Sequence, residues 1–546
     1  MKKLYGSLSL SLAIMLMLAS VAVAQDRTVT GTVSDETGAG MPGVNVLVKG
    51  TTNGTVTDVE GKYSINAPSN ATLVITFVGY KTTEIVVGDR TRIDVALEVD
   101  LTSLDEVVVT GYGIDKRREI AGAVSIVKTK DLTVTPTGNV EQLLQGRVPG
   151  VTVIQNGQPG STAQIRVRGF GSIGPAGSNN PLYIVDGVPT QDVGFLNPDD
   201  IETTTVLKDA ASASIYGARA ASGVIVYTTK KGKKGQKLNV TYDGMYGFTV
   251  PGKGTKMMNP TDFADWTWRA QRNTEDANAA AEGRPVDYAT ALSKFNHPQF
   301  GGGLQPVIPQ YLMVGSQAGA AVTGPVDLEA ERLKYNVDPR KGAAYQVIEA
   351  NLAGTDWYDE LTSTAPLHRS TIGVSGGGEA SRFYIGLSAQ NQDGTMINQK
   401  FDRYAFRANS EFDILPNLRI GENMQFTYRS ILGLQGDDGG AGIADDENDY
   451  LQAFRMPSII PVHDVFGGYA GTAAKGFNNP RNPVANREGL DNNRAFDAFG
   501  YGNVYLELDI IPGLTARTSI GGNYRSYFTK GFGRWQYENS ENNSAF

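Results

Sequence analysis

The stretch DRYAFRANSEF alternates with a period of two residues: Tyr404, Phe406, Ala408 and Phe412 fall on one face, and Arg403, Arg407, Asn409 and Glu411 on the other. After the tight turn Leu415-Pro416-Asn417, NLRIGENMQFTYRS does the same, with Leu418, Ile420, Met424, Phe426 and Tyr428 against Arg419, Asn423, Gln425, Thr427 and Arg429. Further on, NVYLELDIIPGLTARTSIGGNY repeats the design around Ile511-Pro512-Gly513, so DILPNL and DIIPGL are one hairpin written twice. Side chains with this period build sheets with one apolar and one polar face. Two architectures accept such sheets: a large soluble sandwich, which hides the apolar faces, and a membrane barrel, which turns them to lipid. Short turns that alternate with long polar loops such as 431–450, and aromatics near the strand ends, favour the barrel.

The N-terminus agrees. Lys2 and Lys3 precede an apolar run from Leu8 to Leu18, and Ala22-Val23-Ala24 stands before Gln25, the pattern of a secretory signal cleaved between Ala24 and Gln25. No later segment approaches the ~18–20 apolar residues of a spanning helix, so membrane insertion has to use strands. The 546 residues are enough for roughly three or four domains. A formal charge of −8, from 49 basic and 57 acidic residues spread along the chain, leaves no basic stripe for nucleic acid. The absence of cysteine excludes thiolate metal sites, disulfides and cysteine nucleophiles. His297, His368 and His463 stand too far apart for a paired ligand motif.

Composition shifts divide the chain. Residues 25–98 carry short β runs (VNVLVKG, KYSI, TLVITFV, TEIVV) between turns at Pro42-Gly43, Asn53-Gly54 and Glu60-Gly61, which predicts a small β-sandwich. Residues 99–114 form a connecting segment that contains LDEVVVTGYG, four consecutive β-branched residues from Val107 to Thr110 with no evident partner. Residues 115–232 mix strands (QIRVRG, PLYIVDGVP, IETTTVLK, GVIVYTT) with short helices expected over 139–148 and 209–216, a compact α+β unit. Residues 237–546 hold the alternating strands.

Two catalytic patterns fail on context. Gly169-Phe170-Gly171-Ser172-Ile173-Gly174 satisfies GxGxxG, but Pro175 and a loop follow where a helix has to start. Gly373-Val374-Ser375-Gly376-Gly377 satisfies GxSxG, but it ends a strand and no helix follows. No nucleophile and base converge, so an enzyme is not expected. The acidic loop Asp437-Asp438 with Asp445-Asp446-Glu447-Asn448-Asp449 lacks EF-hand spacing; Ca²⁺ in such an extracellular loop is the lesser reading beside a solvated acidic loop, and no cofactor is expected. QIRVRG places Arg166 and Arg168 on one strand face, where burial would demand acidic partners.

LDEVVVTGYG, LLQGRVPGVTV, IRVRGFGSI, PLYIVDGVP and VLKDAASASIYGARAASGVIVYTTKKG, in this order and spacing, resemble the SusC/RagA-type TonB-dependent outer-membrane transporters, and GTVSDETGAGMPGVNVLVKGT to TDVEGKYSI resembles the carboxypeptidase-regulatory-like domain. The resemblance covers residues 27–232; beyond residue 237 it is one of barrel character. It implies a mainly β protein of the Gram-negative outer membrane: a small β-sandwich, an α+β plug, and a multi-pass transmembrane β-barrel of roughly 22 strands closed by the plug. It further implies that Leu104, Asp105, Glu106, Val107, Val108, Val109, Thr110, Gly111 and Tyr112 contact the energy transducer TonB, that a SusD-like surface lipoprotein caps the barrel, and that Arg166 and Arg168 meet lumenal carboxylates. Residues 237–546 have room for roughly ten to twelve strands of ~10 residues, about half such a barrel, so the chain is expected to end before the barrel closes. The function implied is TonB-dependent import of a bulky nutrient, an oligosaccharide or peptide. A surface adhesin that binds without transporting is the alternative, disfavoured because it needs neither a plug nor a TonB contact.

Overall fold

A computed structural model describes residues 27–98, 107–110, 113–116, 124–128, 137–170, 180–315, 322–433 and 448–539, apart from positions 37, 52, 78, 79 and 156. The cleavage site expected at Ala24 and Gln25, the flanks Leu104 to Glu106 and Gly111-Tyr112 of the connecting strand, and most of the acidic loop lie outside them. No helix among the described residues is long and apolar enough to cross a membrane. The chain divides into two compact units, with the division falling within residues 108–121.

The first unit contains the expected β-sandwich. One sheet has the order β4 (Lys62–Ala67), β1 (Arg27–Ser34), β7 (Val95–Ala96); the other has β3 (Gly54–Val56), β2 (Asn45–Val48), β5 (Thr72–Thr76), β6 (Thr83–Val86). Its core takes one face of the longer strands: in KYSINA, Tyr63, Ile65 and Ala67 are buried while Lys62, Ser64 and Asn66 are exposed. Gly31 is required by close approach, since a Cβ there would lie 1.8 Å from the Ile93 carbonyl oxygen. The connecting segment follows: β8 (Val107–Thr110) does have a partner, β9 (Gly113–Lys116), in a two-stranded sheet.

The second unit begins with the α+β domain. Its five-stranded sheet runs β10 (Val124–Lys128), β15 (Ile201–Leu207), β16 (Val224–Thr229), β13 (Leu182–Val185), β14 (Val188–Thr190), and β11 (Val151–Ile154) with β12 (Gln164–Val167) makes a separate hairpin. Asp186-Gly187 turns β13 into β14 with φ of 45° and 88°, the left-handed pair that a two-residue hairpin needs. Of the expected helices, 139–148 shrinks to one 3₁₀ turn at Gln142–Leu144, and 209–216 becomes a short helix, Ala210–Ala213, capped by Asp209 and continued as 3₁₀ turns to Ala220.

Seven antiparallel strands complete the unit: β17 (Asn239–Thr249), β18 (Ala365–Gly376), β19 (Ser381–Asp393), β20 (Lys400–Leu415), β21 (Leu418–Leu432), β22 (Arg494–Ile511) and β23 (Leu514–Lys530), each paired with its neighbours in chain order. The two repeated hairpins are as expected, closed by the pairs Leu415↔Leu418 and Ile511↔Leu514. The strand count is not: among the described residues the wall sheet has seven strands of 11 to 18 residues, in place of the ten to twelve shorter ones expected. The remaining described residues form long connections with helices, short strands and a core of their own. Between β17 and β18, helix α1 (Pro260–Glu282), started by the Asn259 side chain and stopped by Gly283 at φ 65°, packs Trp268 with Phe300, Leu312 and Trp357, and the loop before β22 adds Met456, Ile459 and Ile460.

In these strands the alternation is inverted relative to a soluble sheet. Phe406, Phe412, Met424, Phe426 and Val504 are exposed, while Arg403, Arg407, Asn409, Gln425, Thr427 and Arg429 are buried; Phe426 is 63% exposed and its neighbour Gln425 2%. The polar face is covered because the α+β domain lies against it. Phe195 of that domain stacks on the strand residue Phe499 at 4.5 Å and sits 5.1 Å from the Tyr501 ring.

Candidate functional site

The place where this domain meets the strand wall holds an extended buried polar constellation. Inward positions recur every second residue, so arginines at 369, 403, 407 and 429 all reach the same face. Each finds oxygen on the domain. The Arg407 guanidinium donates to Asp186 at 3.2 Å and to the Thr229 hydroxyl at 3.0 Å, and it also meets Gln425. Asp186 in turn accepts from the Thr229 backbone N–H (3.0 Å) and hydroxyl (2.7 Å), so the left-handed turn residue ties two strands together before it meets the wall. Tyr501 donates to the carbonyls of Val185 and Val188, and Asn503 to that of Asp186.

Next to this lies the segment Asp192–Asp200. Arg429 donates to Asp192 at 3.0 Å and is held from behind by Asp497, which also accepts from Arg525. The Phe195 carbonyl takes bonds from Gln425 (2.6 Å) and Thr427 (3.0 Å), and that of Leu196 takes one from Arg403 (2.8 Å). Asp199 accepts from Arg369 (3.0 Å) and Thr371 (2.9 Å), and Asp200 from Tyr384 (2.7 Å). Buried charges persist only when they are paired and hydrogen-bonded, and here each of the four wall arginines bonds to oxygen on the domain. Burial works to raise the Asp192 carboxyl, but the Arg429 guanidinium beside it prevails and holds it below the ordinary carboxylate range. Glu141 inside the domain is the opposite case: burial pushes it up to about 7 although the Ala163 N–H (2.7 Å) and the Tyr183 hydroxyl (3.1 Å) both donate to it.

The residues singled out from sequence are placed elsewhere. Arg166 is half-buried on β12, opposite Thr152, with its guanidinium 3.9 Å from the centre of the Phe170 ring. Arg168 is exposed at φ 59°, its N–H bonded to the Gly150 carbonyl. Among the described residues neither forms an ion pair with a wall carboxylate. The domain–wall pairs are Arg369–Asp199, Arg407–Asp186, and Asp192 with Arg429 and Arg525, with the signs reversed from expectation: arginine on the wall and acid on the domain. A usable signal was present, because Arg403, Arg407 and Arg429 all stand on the polar face of the alternation and Asp186-Gly187 marks an acidic turn. In the acidic loop, Asp449 is buried, with Asn486 and Arg487 as its neighbours, and burial pushes it up to about 6.

Residues 116–224 match the TonB-dependent receptor plug domain, and residues 29–109 the CarboxypepD_reg-like domain. The chain is 32% identical to TonB-dependent receptor P39 of Formosa agariphila over 94% of its own length and 42% of that protein's. It is 39% identical to TonB-dependent receptor SusC of Bacteroides thetaiotaomicron over 52% of itself and 29% of SusC. Among solved structures, the RagAB peptide importer in its open-open state superposes with a TM-score of 0.55 at 25% identity, covering 78% of this chain and 43% of that one. The chain thus spans less than half the length of these relatives. The two domain matches and these relatives agree, and the chain belongs to the SusC/RagA-type TonB-dependent receptors, whose members named here are receptors and an importer.

Proposed function

We propose that the chain serves TonB-dependent import of a bulky nutrient, a peptide or oligosaccharide, across the outer membrane. The observation that carries this reading is the inverted wall: apolar side chains outward, where only lipid is a suitable solvent, and a plug held on the inner face by buried ion pairs. A plug bonded so extensively blocks the lumen, so passage requires work on the plug. The strand Val107–Thr110 lies in the segment before the plug, and its present partner, Gly113–Lys116, is a short strand that a longer one can replace by β-augmentation. We assign to residues 104–112 the contact with TonB and to a SusD-like lipoprotein the closing of the outer face. The likeness to the RagAB peptide importer favours peptides over oligosaccharides.

The test is uptake of fluorescent peptides and, separately, fluorescent oligosaccharides by cells carrying the full-length receptor. A Val108→Pro change removes one backbone donor and constrains the preceding residue, so surface binding should persist while uptake falls to background. Val108→Ile should take up cargo normally. Uptake by the proline variant at the parental rate would overturn the TonB contact, and binding without uptake by the parental receptor would favour the adhesin.

A further inference from the structure

A second polar feature lies where the plug hands over to the wall. Asn409, Asn423 and Asn503 stand directly opposite one another on β20, β21 and β22 and form a row of three amides on the inner face. Their nitrogens are committed: Asn409 donates to the Thr229 hydroxyl and the Lys230 carbonyl, Asn423 to Asn503, and Asn503 to the Asp186 carbonyl. The Oδ1 atoms of Asn409 and Asn423 are buried and have no protein partner, and the same holds for Nε of Arg382. All three residues line one small cavity of about 10 Å³, which Lys231, Glu411 and Tyr505 also bound.

Two unmatched acceptors and one unmatched donor are the complement of a single water molecule, which offers two hydrogens and a lone pair. The volume is at the size, ~10–15 Å³, that one water requires. We propose that this cavity binds one water, which donates to Asn409 Oδ1 and Asn423 Oδ1 and accepts from Arg382 Nε. A metal cation is the poorer fit: the Lys231 and Arg382 side chains border the cavity, and the Glu411 carboxylate is already engaged by Arg382 (2.8 Å) and the Tyr505 hydroxyl (2.8 Å). The cavity is bordered by Lys231 and Gly232, so the water would sit where the plug's exit segment, Thr229 to Gly232, passes along the wall.

Crystals of the full-length receptor at a resolution that shows ordered water test this. The expected result is one peak within hydrogen-bond distance of all three atoms, lost in Asn423→Leu and kept in Asn423→Asp, with heat-modifiable mobility confirming that both variants fold. Soaking in thallium(I) should give no anomalous peak there. An empty cavity, the Lys231 ammonium in the water position, or a thallium peak would each overturn the assignment.

Discussion

The β-sandwich and the strand wall are written with the same two-residue alternation and bury opposite faces of it. In KYSINA the apolar set Tyr63, Ile65 and Ala67 is inside; in DRYAFRANSEF the apolar set Tyr404, Phe406 and Phe412 is outside and Arg403, Arg407 and Asn409 are inside. The backbone physics is identical in both. What differs is the material against each face: a second apolar sheet in the sandwich, a polar plug on one side of the wall and, on the reading proposed here, lipid on the other. A period therefore determines how side chains divide, while the direction of burial belongs to the surroundings.

The sharpest way to break the comparison is to remove a buried charge from the wall. Arg407→Met leaves Asp186 buried without its cation and should weaken plug docking by about 3–5 kcal/mol, seen as faster proteolysis of residues 124–232 in the assembled receptor. Asp186→Asn in the same chain should restore part of the loss, since Asn also tolerates the left-handed turn. Next in size is the sandwich: Leu73→Ala should cost about 2–5 kcal/mol in denaturant unfolding of that module, while Lys62→Leu on its outer face should stay within ~0.5 kcal/mol. On the wall the outer face behaves otherwise. Phe406→Arg should cost about 2–4 kcal/mol in a bilayer if this position lies near the midplane.

The last effect concerns pH. Glu141 has its carboxyl raised from an ordinary value of 4.5 to about 7, so the folded plug favours the protonated form. Its contribution to stability is present in full below 4.5 and is lost as pH rises through about 7. Plug protease resistance should therefore decline across that interval, and Glu141→Gln should flatten the decline.

Much of this was legible in the sequence because it is local. The hairpins DILPNL and DIIPGL and the sandwich strands each carry their own turn chemistry, whereas PLYIVDGVP, read as one strand, is two strands folded back at Asp186-Gly187. The strand count failed because helix α1 and the loop core around Trp268 and Trp357 were absorbed into an assumed run of strands, although Asn259-Pro260 and Gly283 bracket the helix as start and stop signals. The plug contact was sought at Arg166 and Arg168 because closely spaced arginines suggest buried pairs. The pairs formed instead where inward wall positions meet acidic plug turns, a juxtaposition made by tertiary structure between residues about two hundred positions apart.

The central claim is that the wall's apolar face meets lipid and its polar face meets the plug. Residues 1–546 hold no cysteine, so once any cysteine elsewhere in the full-length receptor is replaced, a single introduced one reports its position without interference. Bimane attached at Phe426→Cys and at Gln425→Cys in the full-length receptor, reconstituted with doxyl-labelled phospholipid, gives the most direct test. Strong quenching by the lipid label at 426, with little at 425, is the predicted result; equal quenching at both sites, or quenching at 426 by aqueous iodide alone, would contradict it.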